Sequence, residues 1–228
     1  VSEELAKNDI AVFSYDKRIL AQMKAGTVNE ATLTFDDFIT DATAVLLFIK
    51  NQKKYNKIII AGHSEGSLIG MIAANGKADA FISLAGAGRT IDTVLVEQIA
   101  KQAPYLKEEV QDNLNILKSG KTFELKNPML ASIFRESVQP YMISWIKYNP
   151  QIEIAKLQMP VLIVNGTKDL QVAVHDAELL KKAKPEAELV LIENMNHIFK
   201  EIKGDDTENI QSYSNPDAPI APKLTNPI

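Results

Sequence analysis

Residues 58–74 make the strongest demand on the fold. The apolar run Ile58-Ile59-Ile60-Ala61 leads into Gly62-His63-Ser64-Glu65-Gly66. Ser67-Leu68-Ile69-Gly70-Met71-Ile72-Ala73-Ala74 then repeats its apolar residues with helical spacing. A strand, a very tight turn and a helix, with serine at the corner, is the context in which Gly-x-Ser-x-Gly acquires chemical meaning. The corner must be sharp and strained for the hydroxyl to stand clear of the sheet edge. Glycine is expected on both sides, because a Cβ at either position would clash with the crossing strand and helix. The Glu65 backbone N–H falls at a helix N-terminus, where its partial positive charge can hold an oxyanion. Gly-x-Ser-x-Gly also recurs by chance as a plain turn; the flanking strand and helix favour a nucleophile.

The chain around this corner alternates between two periods. Residues 1 to 9 read as the end of an amphipathic helix, and Ile10-Ala11-Val12-Phe13-Ser14-Tyr15 as a short buried strand. Residues 19 to 34 have no clear period and are expected to be loop. Phe35 to Lys50 is expected to be a helix, with Phe38, Ala42, Val45, Leu46 and Ile49 on one face and Thr34 as N-cap. A strand over 57 to 61, a helix over 67 to 75 stopped by Asn75-Gly76, and a strand over 80 to 85 come next. After Pro160, strand 161 to 165, helix 174 to 183 and strand 188 to 192 resume the pattern. Strands that are apolar on both faces and alternate with helices predict a parallel sheet covered on both sides.

Residues 90 to 150 break the alternation and read as three or four helices with no strand. Leu106, Val110, Leu114 and Leu117 line one of them, Gly120 stops it, and Asn127-Pro128 starts another. Six aromatic side chains fall here, and Tyr105, Phe134, Tyr141 and Trp145 are candidates for an apolar wall over a pocket. Each could equally pack the insertion onto the core. The expected organisation is an α/β core over 1–89, a helical lid over 90–150, the rest of the core over 151–203 and a polar, proline-containing segment over 204–228. That last segment is expected to be a strapped-down loop or a disordered tail.

Composition narrows the function classes. At 228 residues the chain is long enough for one large α/β domain with a modest insertion. A net charge of −4, with no arginine–aromatic cluster, argues against nucleic acid as a partner. The absence of cysteine excludes disulfides, thiolate metal sites and a cysteine nucleophile, and is compatible with a cytoplasmic or an exported protein. Three histidines, none paired at ligand spacing, give no metal motif. No apolar run reaches the roughly 18 residues of a membrane helix.

A serine hydroxyl needs a base within hydrogen-bond reach, and that base needs a carboxylate to fix its tautomer. In a parallel sheet, functional side chains gather beyond the carboxyl ends of the strands. Ser64, Asp169 and His197 each follow a predicted strand there, in the order Ser, Asp, His expected for this type of fold. The alternatives are placed less well. His63 must point away from Ser64 at such a corner and is expected to be structural. His175 lies beside the acid, Asp176 and Glu193 are substitute acids, and Asp16 with Arg18 is expected to form a structural ion pair. His197 could be a capping residue and Asp169 a turn aspartate.

Gly62-His63-Ser64-Glu65-Gly66, Asn165-Gly166-Thr167-Lys168-Asp169-Leu170-Gln171-Val172 and Asn194-Met195-Asn196-His197 resemble the three catalytic segments of the α/β-hydrolase superfamily. The match is to its bacterial esterase branch, often filed with the serine aminopeptidase-like hydrolases. Tyr15-Asp16-Lys17-Arg18 resembles that branch's Tyr-Asp-x-Arg-Gly segment, with Ile19 in place of the glycine. The resemblance covers nearly the whole chain. It implies Ser64 as nucleophile, His197 as base, Asp169 as orienting acid, the Glu65 N–H as oxyanion donor, residues 90 to 150 as lid, and no cofactor.

One departure matters. In the superfamily a central strand and a glycine-rich loop precede the helix that residues 1 to 9 finish. That strand lies between the strands expected at 10–15 and 57–61, and its loop supplies the second oxyanion N–H. Neither is present, so the natural protein is expected to extend N-terminally, and the C-terminus is expected to be short as well, since the final helix of the fold barely begins at Leu224. The leading expectation is a serine esterase acting on a small-molecule ester of a small or medium acyl group. A thioesterase, an aminopeptidase using Glu108, Glu109, Glu124 or Glu136 for the substrate amine, and a non-catalytic binding protein are the alternatives.

Overall fold

The computed structural model describes residues 2–224. Helices α1 (Ser2–Ala6), α2 (Arg18–Lys24) and α3 (Phe35–Asn51) precede strand β1 (Ile59–His63), which turns through Ser64 into α4 (Glu65–Ala74) and then β2 (Ala80–Leu84). Five helices follow without a strand: α5 (Ile91–Gln102), α6 (Lys107–Lys118), α7 (Ala131–Phe134), α8 (Gln139–Ile146) and α9 (Pro150–Ala155). β3 (Val161–Gly166), α10 (Val174–Ala183), β4 (Glu188–Ile192) and α11 (Asp206–Ser212) complete the order. The strands form one parallel sheet in the order β1-β2-β3-β4, with Ile60 beside Phe81, Phe81 beside Val161 and Ile163 beside Leu189. This is the α/β-hydrolase fold.

Alternation along the strands divides the core. Phe81 and Ile163 face a layer built from Phe35, Phe38, Leu68, Met71, Ile154 and Leu180. Ile82, Leu84, Val164 and Ile192 face the other way, against Met195, Ala221 and Leu224. Residues 205–224 are therefore a strap that ends across one face of the sheet. Their polar composition conceals this, because only Ala221, Leu224 and a few neighbours face inward.

The helices between β2 and β3 hold an apolar cluster of their own. Leu106, Val110, Leu114 and Leu117 are all buried on one face, as their spacing predicts, against Leu130, Phe134, Met142 and Ile146. Tyr141 and Trp145 of α8 touch both this cluster and the main core. The indole of Trp145 stacks on the fully buried Phe35 at 5.3 Å between ring centroids. α3 begins at a capping box: the Thr34 hydroxyl accepts from the Asp37 N–H, and the Asp37 carboxylate accepts from the Thr34 N–H at 2.8 Å.

Four expectations are corrected on the N-terminal side. Residues 10–15 form no strand. Their side chains are largely exposed, Phe13 at 57%, and a cavity of about 480 Å³ separates residues 9–13 from β1. A strand requires a partner for its backbone groups, and among the described residues no strand lies between this segment and β1, which is the sheet edge. Residues 18–24 are helix, not loop, and Arg18 is anchored on α3 by both oxygens of Asp41 at 2.7 Å and by Asp37 at 2.8 Å. Asp16 accordingly has no bond with Arg18 and instead faces Lys24 at 3.6 Å. β1 also ends two residues later than expected, because Gly62 and His63 pair with Ser83 and Leu84.

Candidate active site

Ser64 occupies the corner between β1 and α4 with φ 55° and ψ −122°. A non-glycine residue held there carries strain of about 1–3 kcal/mol, sustained only by a surrounding structure that fixes it. Two bonds do so: the Ser64 N–H donates to Leu84 O at 2.9 Å, and Ser64 O accepts from the Ser67 N–H at 2.9 Å. A Cβ at Gly62 would lie 2.1 Å from Gly66 O, so glycine is obligatory at that position. Gly66 differs from expectation. A Cβ there would meet nothing within 4 Å among the described residues. The Glu65 N–H, first in α4, has no hydrogen-bond acceptor among the described residues, while the Glu65 carboxylate takes Lys17 Nζ at 2.5 Å.

Asp169 and His197 leave the ends of β3 and β4, which are neighbours. The His197 Nδ1–H donates to Asp169 Oδ2 at 2.9 Å, and the two side chains are 4% and 0% exposed. Asp169 Oδ1 accepts the Gln171 and Val172 N–H groups, each at 2.8 Å, so the carboxylate is fixed through both oxygens. Gly166 permits this approach: a Cβ there would sit 2.0 Å from Met195 O. Asn194 and Phe199 adopt positive φ, and the turn they bound brings His197 back across the rim.

His63 ties that turn to the serine corner. Its Nε2–H donates to the His197 carbonyl at 2.9 Å, and the two imidazoles lie 4.8 Å apart, with the Phe199 ring 4.7 Å from His63 on the same side. Desolvation on this packed side and then the nearby His197 lower the His63 pKa, against the opposing pull of the bond to the His197 carbonyl. His63 is thus structural, as its place before the corner predicts. His197 is brought beside the residue that precedes Ser64. The Ser64 hydroxyl itself makes no hydrogen bond among the described residues.

The other ionisable candidates lie elsewhere. His175 is exposed and faces Glu178 at 3.6 Å, and Glu193 is exposed. Asp176 is fully buried, and its carboxylate accepts from Arg89 at 2.9 and 2.7 Å and from the Gly88 N–H at 3.1 Å. Arg89 also bonds Glu97 of α5. Its carboxylate partners raise the arginine pKa, and hydrogen bonds from Lys101 and then Arg89 pull Glu97 down to about 2.

A cavity of about 180 Å³ opens beside Ser64 and Glu65, walled by Leu68, Ile91, Val94 and Trp145, with Arg89, Gln98 and Gln171 on its polar side. The Gln98 amide donates to Gln171 O at 3.1 Å, joining α5 to the loop that carries Asp169. Of the four aromatics suggested for this wall, only Trp145 lines it. Tyr105 is 72% exposed, Phe134 is fully buried in the helical cluster, and Tyr141 packs on Phe35, Phe38 and Trp145. A residue's type does not reveal which face of its helix turns inward. The roles of Arg89, Gln98 and the buried Asn196 and Asn209 are not legible in the sequence, since a single polar residue in a loop or on a helix carries no periodic signal of its own. Among the described residues no group of three or more His, Asp or Glu side chains could hold a metal ion, and no helix is long and apolar enough to cross a membrane.

The family model described as serine aminopeptidase, S33, matches residues 1–139. Esterase EstD of Thermotoga maritima is 25% identical over 209 residues, covering 89% of this chain and 49% of the relative, so the chain spans about half of that protein's length. Two solved structures share the fold. One, BpoC of Mycobacterium tuberculosis H37Rv, a candidate non-heme bromoperoxidase, superposes with a TM-score of 0.51 at 11% identity, over 82% of this chain and 76% of its own. The other, from the metagenome-derived lipolytic enzymes LipS and LipT, has a TM-score of 0.51 at 18% identity, over 81% and 73%.

Proposed function

The chain belongs to the serine aminopeptidase S33 family, and from that premise we propose that it hydrolyses carboxylic esters of small or medium acyl groups through an acyl-enzyme on Ser64. Ser64 Oγ attacks the ester carbonyl while His197 Nε2 takes its proton. Asp169 holds the opposite ring nitrogen and stabilises the imidazolium, and the Glu65 N–H donates to the oxyanion. His197 returns the proton to the departing alcohol, then takes one from the water that releases the acid. The contact between Ser64 Oγ and the imidazole closes up when substrate binds, as such bonds often do.

The observation that carries this reading is the buried Asp169–His197 hydrogen bond at 2.9 Å, tied through His63 to the strained serine corner. The cavity of about 180 Å³ favours a small acyl group, since pockets for drug-sized ligands run to about 300–1,000 Å³. Ester is favoured over peptide because, among the described residues, the carboxylate that lines the cavity, Glu65, is paired with Lys17. Glu108, Glu109, Glu124 and Glu136 do not line it, and Asp176 and Glu97 are taken up by Arg89. The test is turnover of p-nitrophenyl acetate and butyrate against aminoacyl p-nitroanilides, with Ser64→Ala as control. Serine-dependent ester turnover is expected; faster serine-dependent release from the anilides would move the reading to a peptidase.

A further inference from the structure

The loops that carry Asp169 and His197 are joined by a third element that takes no part in the chemistry. Asn209 of α11 is fully buried. Its Nδ2 donates to Lys168 O at 2.7 Å, one residue before Asp169. Its Oδ1 accepts from Asn196 Nδ2 at 3.0 Å, one residue before His197. Asn196 is also fully buried, and its own Oδ1 closes the histidine turn by accepting the Ile198 and Lys200 N–H groups at 3.2 and 2.8 Å. The remaining Asn196 proton goes to Ser212 Oγ at 2.8 Å, which in turn donates to Asn209 O at 2.7 Å. An unbroken chain of buried hydrogen bonds therefore runs from the residue before the acid to the residue before the histidine. The primary amide of asparagine suits this node, because it is donor and acceptor at once.

We propose that Asn209 is a positioning residue that holds the Lys168-Asp169 and Asn196-His197 segments in register, so that the C-terminal strap sets the geometry of the acid–histidine pair. This rests on the serine-hydrolase reading. Backbone contacts alone leave the two loops less constrained. Lys168 N–H to Met195 O at 3.0 Å and Asn194 N–H to Thr167 Oγ1 at 2.8 Å fix their bases. The ends are held separately, Asp169 by the Gln171 and Val172 N–H groups of its own loop and His197 at its carbonyl by His63, so the Asn209 bridge is what resists one end turning against the other. An Asp169 Oδ2 to Nδ1 bond is sensitive to such turning, since hydrogen bonds weaken steeply as they bend.

The test compares wild type with Asn209→Leu, Ser212→Ala and the strap control Leu224→Ala, which loosens the same segment without touching the amide chain. Each is read by the rate of labelling with a fluorophosphonate, by kcat and KM on p-nitrophenyl butyrate, and by the low-field proton resonance of an imidazole Nδ1–H bonded to carboxylate. Asn209→Leu is expected to slow labelling and kcat by about 10–100-fold with KM within about twofold, and to lose the resonance. Leu224→Ala should keep the resonance even where its Tm falls. If Asn209→Leu does not fold, Ser212→Ala decides, with a severalfold loss and a shifted resonance expected. A resonance and kcat unchanged in the Asn209 variant, or in Ser212→Ala where that decides, would overturn the proposal. If wild type fails to label, the hydrolase reading falls, while the resonance still reports whether Asn209 orders the pair.

Discussion

The two ends of the sheet are built differently. At the β3–β4 end, Asp169 accepts three hydrogen bonds, Gly166 lies against Met195, and the Asn196–Asn209 chain closes over both loops. At the β1 end, among the described residues, Ile59 is 51% exposed, Phe13 is 57% exposed, and β1 pairs with a strand on one side only. Ser64 sits on this looser side, fixed by the backbone of its own turn and by the Leu84 carbonyl of β2. The acid–histidine pair is thus pre-formed by buried polar contacts, whereas the serine depends on local strain and on the His63 link. Changes on one side should leave the other's geometry largely intact.

That contrast orders the expected effects. Asp169→Asn should lower kcat by about 10⁴-fold, because an amide favours the wrong imidazole tautomer. Ester hydrolysis measures this, and a loss under tenfold would break the packed-side account. Gly166→Ala forces its Cβ against Met195 O and should cost about 1–3 kcal/mol in denaturant unfolding, with loss of activity. Acid sensitivity is a smaller effect on the same side. The Glu97 pKa lies below its unfolded value, so its contribution is present above pH 4.5 and is lost as pH falls toward 2. Glu97→Gln should flatten the decline of Tm across that window. Smallest are Phe13→Ser and Gly66→Ala at the β1 end, each expected within about 0.5–1 kcal/mol of wild type. A larger loss in either would mean that this edge is covered in solution.

Much of this was legible in the residues. β2 and β3 read as continuous apolar runs because both faces are covered, β4 reads as apolar although Leu191 stays exposed, and α10 stands where its spacing puts it. The ordering of Ser64, Asp169 and His197 at strand ends needs only the parallel topology. The segment 10–15 misleads because a strand is a property of two segments, and Ile10 to Tyr15 has the composition without a neighbour. Asn209 is invisible for a related reason. In the polar stretch Asp205-Asp206-Thr207-Glu208-Asn209 nothing separates a solvated amide from one that bridges two loops 41 and 13 residues upstream. The inserted helices gave their apolar stripe but not the face of each aromatic, so Trp145 could not be told from Phe134.

The most direct measurement is active-site labelling by a fluorophosphonate, followed by mass mapping, on wild type, Ser64→Ala and His197→Gln. The account predicts one phosphonate adduct on residue 64 of the wild type, none on Ser64→Ala, and labelling slowed at least a hundredfold in His197→Gln. Labelling at another residue, or an undiminished rate without the imidazole, would contradict it.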